Sequence, residues 1–289
     1  MDDEDLELQP AGAQLDPGAP ASTRAAALWL AAALLIGVAG GAGTFLMLQA
    51  RRAPPAAPSV SAAPAPAKPA APALPSLGGE PQAVDVPPLD QSDPVVRQLV
   101  QRLSRNPAVT AWLTTDGLIR NFAVVVTSIA GGATPAKFLA PLRPATGFRV
   151  IDRADGGTRL DPVSYDRYTT LGTAVASIDP EGAARLYATL KPRIEAAYHD
   201  LGYPGSFDRA LEQAIDALLS TPVVDGDVAL KHKGIGYAYV DDRLESLTAA
   251  QKQYLRMGPR NIRMIDLHLR AIARVLGIPN ASLPPQADH

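Results

Sequence analysis

The sequence predicts a mainly α-helical protein, in which a compact helical domain with one or two small β-hairpins follows one transmembrane helix and a disordered Pro/Ala linker. Three observations predict this. An uncharged apolar run fills residues 25–50, proline crowds the stretch after it, and beyond residue 90 apolar side chains recur at helical spacing. We divide the 289 residues into an acidic disordered tail (1–24), a transmembrane helix (25–50), a Pro/Ala-rich linker (51–89), an α-rich soluble domain (90–279) and a disordered tail (280–289).

The apolar run from Ala25 to Ala50 contains no charged residue. As a helix it would be about 39 Å long, against a hydrocarbon thickness of about 30 Å, so it can span a bilayer with tilt. The other interpretation is a cleaved signal peptide. The tail before the run is acidic rather than basic, and the run exceeds a typical signal-peptide core. The pattern therefore favours an uncleaved anchor.

The orientation of this anchor is balanced between two signals. One arginine precedes the run (Arg24) and two follow it (Arg51 and Arg52), which by the positive-inside rule favours a cytoplasmic C-terminal domain by a single residue. The linker composition instead resembles spacers that carry envelope domains away from the membrane, and we expect a periplasmic domain. Gly37 and Gly41 form a GxxxG pair that would permit a homodimer, although such spacing also arises by chance in Ala/Gly-rich spans.

The linker is a proline-biased spacer. Residues 53–88 hold eleven prolines among alanines. Such a segment favours polyproline II and would reach on the order of 110 Å if fully extended. This reach suits a target in the envelope or on another protein better than a lipid substrate.

Composition excludes several classes of chemistry. The chain has no cysteine, so disulfides and thiolate nucleophiles are absent, and its four histidines have no metal-ligand spacing. No GxSxG, P-loop or Rossmann pattern occurs. From residue 84 onward, 23 basic residues face 22 acidic ones, which gives no global case for nucleic acid. We expect no cofactor and no metal, and a binding domain more than an enzyme.

Helix starts recur through the soluble domain. A capping residue precedes or opens helical spacing at Ser92, Asn106, Asp116, Asp161, Asp179 and Ser206. We expect Pro192 to kink or split the helix that follows Asp179. Residues 148–160 and 228–240 alternate with a period of two around glycine turns, which predicts two β-hairpins.

Several stretches carry a family resemblance. They are Ser164-Tyr165-Asp166-Arg167-Tyr168, Leu186-Tyr187 with Pro192, Glu195-Ala196-Ala197-Tyr198, Leu201-Gly202-Tyr203-Pro204, Leu244-Glu245, Gln251-Lys252-Gln253 and Arg256-Met257-Gly258-Pro259-Arg260-Asn261. As an ordered set over most of residues 90–278, the chain resembles the domain-of-unknown-function family numbered 3014, which consists of bacterial single-pass membrane proteins. The resemblance implies membrane association and one family-wide domain, and it implies no activity.

The first candidate site is a group of tyrosines on two predicted helices. Tyr165 and Tyr168 share a face of one helix, and Glu195 and Tyr198 share a face of another. If the helices meet, Arg167 would pair with Glu195 and the phenols would line a groove. The alternative is that these tyrosines are buried and form structural hydrogen bonds.

The second candidate site is the face of the C-terminal helix opposite its apolar side. Arg260, Arg263, Arg270 and Arg274 cluster there, and Arg256 joins them if the helix continues back through Gly258. This predicts an anion-binding surface near the helix N-terminus, or else a solvated face with internal salt bridges. The residues that we single out for anion or partner binding are Arg256, Arg260, Asn261, Arg263, Arg167, Tyr168, Glu195 and Tyr198.

These observations favour a non-catalytic, membrane-tethered envelope protein whose helical domain binds an envelope protein or an anionic cell-wall component. A membrane-anchored hydrolase or transferase that uses carboxylates in the tyrosine-lined groove is a second hypothesis. A cytoplasmic-facing binder of an anionic ligand or of nucleic acid is a third. The expected location is the bacterial inner membrane, with one span in the lipid bilayer and the soluble domain in the periplasm.

Overall fold

The computed structural model describes residues 77–154, 156–234, 236–279 and 283–285. The predicted acidic tail, the transmembrane helix with its Gly37–Gly41 pair, and most of the linker lie outside these residues. Within the described ranges, no helix combines the length and the apolar composition that a membrane span requires.

The described residues form a mainly helical domain with one small antiparallel sheet, as predicted. The helices are α1 (Asp93–Leu103), α2 (Pro107–Trp112), α3 (Leu118–Ala130), α4 (Val163–Asp166), α5 (Thr169–Ala176), α6 (Pro180–Asp200), α7 (Phe207–Leu219), α8 (Asp242–Glu245), α9 (Ala249–Leu255) and α10 (Pro259–Leu276). The strands are β1 (Val150–Asp152), β2 (Thr158–Leu160), β3 (Ala229–Lys233) and β4 (Gly236–Tyr239).

The core lies among the four longer helices α3, α6, α7 and α10. Helix α3 packs on α6 and α7, while α10 packs on α5, α6 and α7. The predicted apolar face of α10 is confirmed, because its members are all buried: Ile262, Ile265, Leu269, Ile272 and Leu276. Burial of this face is the main contribution of α10 to stability, since apolar side chains at this spacing leave water together.

Three of the six predicted helix caps are confirmed by a side-chain bond at the helix start, whereas Ser92 precedes α1 without such a bond and its hydroxyl donates to the Leu89 carbonyl. The side chains of Asn106, Asp179 and Ser206 accept backbone N–H bonds at the starts of α2, α6 and α7. Asp116 does not cap α3 as predicted. The helix begins at Leu118, and its free amides donate instead to the carboxylate of Asp93 on α1, with Gly117 N at 2.6 Å and Leu118 N at 2.8 Å. A partner distant in sequence thus performs the capping that local pattern assigned to a neighbour.

The sequence predicts that Pro192 kinks or splits α6, and the helix is not split, because it runs from Pro180 to Asp200 with Pro192 inside it. Pro192 is exposed, whereas Leu190 and Ile194 on either side of it are buried. Packing of these neighbours against the core holds the helix together across the missing backbone hydrogen bond.

The two predicted hairpins are present, and they join into one sheet in the order β1-β2-β3-β4. The junction pairs β2 with β3, and Thr158 lies opposite Leu230. A large part of the helical domain separates these strands in sequence, so the pattern within each hairpin does not predict that β2 pairs with β3. The sheet places Phe148, just before β1, near Arg167 at the end of α4, and Tyr239 in β4 near Arg256 at the end of α9.

Residues 77–88, which we call the strap, lie against α6 although the sequence assigned them to the linker. Leu77 and Val86 are buried, and Arg193 on α6 donates to the Val86 carbonyl through Nε (3.0 Å) and Nη2 (2.8 Å). The packed domain therefore begins before residue 90. The strap also bonds through Leu77 N to Asp208 Oδ2 (3.1 Å), Gly78 N to Leu276 O (3.0 Å) and Gln82 N to Thr189 Oγ1 (2.9 Å).

Candidate anion-binding site

Arg167, Tyr168, Gln253 and Arg256 form one connected polar cluster, which we call the arginine–tyrosine site. Arg167 Nη2 donates to the Tyr168 hydroxyl at 3.0 Å, and Gln253 Nε2 donates to the same hydroxyl at 3.3 Å. Arg256 Nη1 donates to Gln253 Oε1 at 3.2 Å. Three hydrogen bonds thus link a guanidinium from the end of α4 to one from the end of α9.

The direction of the hydrogen bonds in this cluster is set by Arg256 at its end. A guanidinium only donates, so Gln253 must turn its carbonyl oxygen to Arg256 and its NH₂ to Tyr168. The Tyr168 oxygen therefore accepts two bonds. Its own hydrogen has no acceptor among the residues that the structure describes, although the side chain is 1% exposed. A buried donor without an acceptor is unfavourable unless something from outside accepts it.

The charges of the site are also unmatched. Neither Arg167 nor Arg256 forms an ion pair with any carboxylate in the described ranges, and both side chains are partly buried. Arg167 makes one further bond, from Nη1 to the Thr146 carbonyl at 3.3 Å. Two partly desolvated cations and a hydroxyl donor without a described acceptor thus belong to one cluster, which is an environment that favours an anion.

Two further phenols surround the cluster. Burial raises the pKa of Tyr239 to about 12, even though the nearby Arg256 guanidinium favours the ionised form. Burial likewise raises the pKa of Tyr165. Both rings therefore stay neutral at physiological pH, so they add hydrogen-bonding capacity without supplying a negative charge that would neutralise Arg256.

The junction between α9 and α10 fixes Arg256 beside α4. Gly258 separates the two helices with φ +82° and ψ 162°, and a Cβ there would lie 2.3 Å from the Tyr165 ring. Asn261 bridges the same elements, since its Nδ2 donates to the Tyr165 carbonyl (3.0 Å) and to the Met257 carbonyl (2.8 Å). Asn261 thus positions the site and contributes no free donor to a ligand.

An aromatic rim adjoins the site on the sheet side. We give this name to Phe148, Tyr237 and His232. The Phe148 and Tyr237 ring centroids are 5.9 Å apart, and those of His232 and Tyr237 are 4.8 Å apart. The Arg167 guanidinium lies 5.8 Å from the Phe148 ring centroid, so the rim and the cations are continuous.

The predicted arginine face of α10 does not hold together as one surface. Arg256 belongs to the end of α9, because Gly258 stops the helix from continuing backward. Arg263 forms an ion pair with Asp225, and Arg270 donates to the Pro284 carbonyl at 2.8 Å. Arg260 is exposed at the start of α10. Of the predicted stripe, Arg256 alone joins the arginine–tyrosine site.

Glu195 and Tyr198 lie elsewhere, so Arg167 and Glu195 do not pair. Both Glu195 carboxylate oxygens accept the Phe207 amide at 3.1 Å, which makes Glu195 a second cap of α7. Tyr198 stacks on Tyr203 with centroids 5.2 Å apart. The predicted groove thus separates into a structural aromatic cluster near α7 and the tyrosines beside Arg167.

Sequence reasoning missed Gln253, Tyr239 and the aromatic rim. Gln253 and Tyr239 were visible as polar residues within apolar spacing, but their partners come from distant segments. No cluster of three metal-ligating side chains occurs in the part of the chain that the structure describes. The arginine–tyrosine site gathers hydrogen-bond donors and contains no carboxylate, which suits the binding of an oxyanion.

The comparisons with known proteins place these residues in a family. No curated protein and no solved structure matches the chain. One family does match, over residues 118–273, and its description is "Protein of unknown function (DUF3014)". That range covers more than half of the chain and contains all four residues of the arginine–tyrosine site. The chain therefore belongs to the DUF3014 family.

Proposed function

We propose that this protein is a membrane-tethered, non-catalytic binding protein that captures an anion-bearing partner at the arginine–tyrosine site. The observation that carries the proposal is the unmatched set of donors. Arg167, Tyr168 and Arg256 belong to one hydrogen-bonded cluster that contains no described carboxylate, so the two partly buried cations lack a counter-charge among the described residues. A bound oxyanion would supply a counter-charge to both arginines and an acceptor for the Tyr168 hydroxyl.

The position of the strap supports a partner far from the tether. The amide of Gly78 bonds to the carbonyl of Leu276, at the C-terminal end of α10. The arginine–tyrosine site adjoins the N-terminal end of the same helix. The 18 residues of α10 correspond to about 27 Å, so the chain enters at one end of this helix and the site lies at the other.

The rest of the proposal comes from the sequence. The apolar run at residues 25–50 would anchor the protein in a bacterial inner membrane, and the Pro/Ala linker would hold the domain in the periplasm, away from the bilayer. The anionic partner would then be an envelope protein or a cell-wall component. A site at the far end of α10 suits such a target better than a lipid headgroup.

Anion-dependent stabilisation tests the proposal directly. The full-length protein is melted with increasing sodium phosphate at ionic strength held constant with sodium chloride. At a phosphate concentration of ten times Kd, binding at a specific site raises the free energy of unfolding by about 1.4 kcal/mol, which corresponds to a rise of roughly 4 °C in Tm. Phosphate also stabilises proteins nonspecifically, so each variant is compared with its own chloride baseline.

The variants separate the site from the rest of the basic surface. Arg256→Gln should lose the specific part of the stabilisation, because it removes one of the two cations. Arg274→Gln, an exposed arginine in the last turn of α10, is the matched control and should respond like the wild type. An equal response of wild type and Arg256→Gln would overturn the proposed function.

A further inference from the structure

We infer that the anion captured at the arginine–tyrosine site is the C-terminal carboxylate of a polypeptide whose last side chain is apolar, and that this side chain packs against the exposed ring of Phe148. The inference rests on the proposed function. It adds the chemical class of the ligand, and it assigns a binding role to the aromatic rim.

The geometry of Arg167 couples the two parts of the ligand. Its Nη2 lies 3.0 Å from the Tyr168 hydroxyl, and its guanidinium lies 5.8 Å from the Phe148 ring centroid. An anion bound by Arg167 therefore lies beside the Phe148 ring. A terminal carboxylate carries its last side chain on the adjacent carbon, so an apolar side chain there is placed to contact Phe148.

The exposed ring of Phe148 favours an apolar group beside the anion. Phe148 is 38% exposed, so apolar ring surface faces solvent beside the cations. The Phe148 and Tyr237 rings pack against each other, with centroids 5.9 Å apart and an inclination of 51°, so the surface left for a ligand is the exposed part of Phe148.

The outer edge of β4 offers backbone groups to a peptide. Val240 N donates to Ala229 O, and Lys231 lies opposite Ala238, so the alternation of an antiparallel ladder turns the N–H and C=O of Tyr237 to the outer edge of β4. No described residue bonds them there. The next outward amide, Tyr239 N, already donates to Glu245 Oε2 at 3.2 Å. Tyr237, which is part of the aromatic rim, thus presents a free N–H and C=O to which an extended peptide can pair.

The test compares short fluorescent peptides that differ only at their C-terminus, bound to the full-length protein. A peptide ending in phenylalanine with a free carboxylate should bind at least about tenfold more tightly than its C-terminal amide, and more tightly than a glycine-ended peptide. Phe148→Ala should reduce the affinity of the phenylalanine-ended peptide to that of the glycine-ended one. Tyr203→Ala is the matched control, because Tyr203 is similarly exposed (41%) but lies near α7.

The outcomes separate this inference from the proposed function. Equal affinities for the phenylalanine-ended peptide and its amide, or for the phenylalanine- and glycine-ended peptides, would overturn the inference. The proposed function would still stand on an Arg256-dependent phosphate response. Tighter binding of a carboxylated amino sugar than of any peptide would likewise replace the polypeptide by a glycan. Absence of both peptide binding and phosphate stabilisation would overturn both proposals.

Discussion

Gly258 holds the turn between α9 and α10 in a backbone conformation that only glycine adopts readily. Its φ of +82° and ψ of 162° are strained for any other residue, and an added Cβ would lie 2.3 Å from Tyr165. The position of Arg256 beside Tyr168 depends on this turn. The Met257-Gly258-Pro259 sequence is thus a structural requirement of the site.

We predict that Gly258→Ala lowers the free energy of unfolding by roughly 3 kcal/mol, because backbone strain and the clash with Tyr165 add. Gly277→Ala is the control, since Gly277 has a similar φ of +88° but open space around its missing Cβ. The Gly277→Ala variant should lose roughly 1 kcal/mol of unfolding free energy. Denaturant unfolding measures both, and equal losses would show that the Tyr165 contact is unimportant.

Asp266 gives a pH-dependent contribution to stability. Burial raises the pKa of this carboxyl to about 6, and Tyr254, 2.7 Å away, donates to it. A folded-state pKa above the unfolded value of about 3.9 stabilises the protein fully below pH 4, and this stabilisation is lost as the pH rises through 6. The charged form is the one that folding disfavours.

Asp266→Asn removes that ionisation. We predict that the variant gains roughly 2 kcal/mol relative to the wild type between pH 4 and pH 7, because asparagine never acquires the buried charge and its carbonyl still accepts from Tyr254. Unfolding free energies measured across this range for both proteins give the difference. A difference that stays flat with pH would mean that Asp266 titrates normally.

At the scale of elements, Asp208 joins the strap to α6 and α7. This carboxylate on α7 accepts from Leu77 N at 3.1 Å, from Tyr187 Oη at 2.5 Å and from Lys191 Nζ at 2.5 Å. Three elements therefore meet at one side chain, and the two ends of the Lys191 pair are mostly buried.

Asp208→Asn should cost roughly 2 kcal/mol, since it removes a carboxylate charge that lies 2.5 Å from Lys191 Nζ in a partly buried setting. Hydrogen exchange of the strap amides should quicken in parallel. Asp90→Asn, which breaks the exposed pair with Arg120, should cost less than about 1 kcal/mol and leave the strap unchanged. Similar losses in the two variants would mean that Asp208 does not fasten the strap.

Elements set by local pattern could be predicted from the sequence, whereas those set by distant partners could not. The caps at Asn106, Asp179 and Ser206 and the buried face of α10 follow from spacing alone. The cap of α3 by Asp93 depends on a contact between helices. The strap was assigned to the linker because its prolines resemble those before it, and its packing against α6 has no local signature.

The candidate site was predicted in part. Arg167, Tyr168 and Arg256 were each singled out, but in two separate groups. Their meeting requires α4 to lie against the α9–α10 turn, which the sequence does not encode at short range. Arg263 looked equivalent to Arg256 on a helical projection, yet Asp225 from a distant loop pairs with it. Which of these arginines forms an ion pair is therefore determined by the tertiary fold.

At the scale of the whole molecule, the strap and the arginine–tyrosine site lie at opposite ends of α10. The strap joins the C-terminal end of α10, and the arginine–tyrosine site adjoins its N-terminal end. Helix α10 is buried along one face and is therefore a rigid spacer between the two. This arrangement presents the cations away from the point where the chain enters the domain.

The central claim is that Arg167 and Arg256, and not the stripe along α10, bind an anion. Side-chain Nε–Hε resonances of ¹⁵N-labelled arginine in the full-length protein, followed through a phosphate titration at constant ionic strength, test it most directly. Our account predicts saturable shifts of the Arg167 and Arg256 signals with one shared Kd, while those of Arg263 and Arg274 change little. Shifts confined to Arg260, Arg263 and Arg274 would contradict the account.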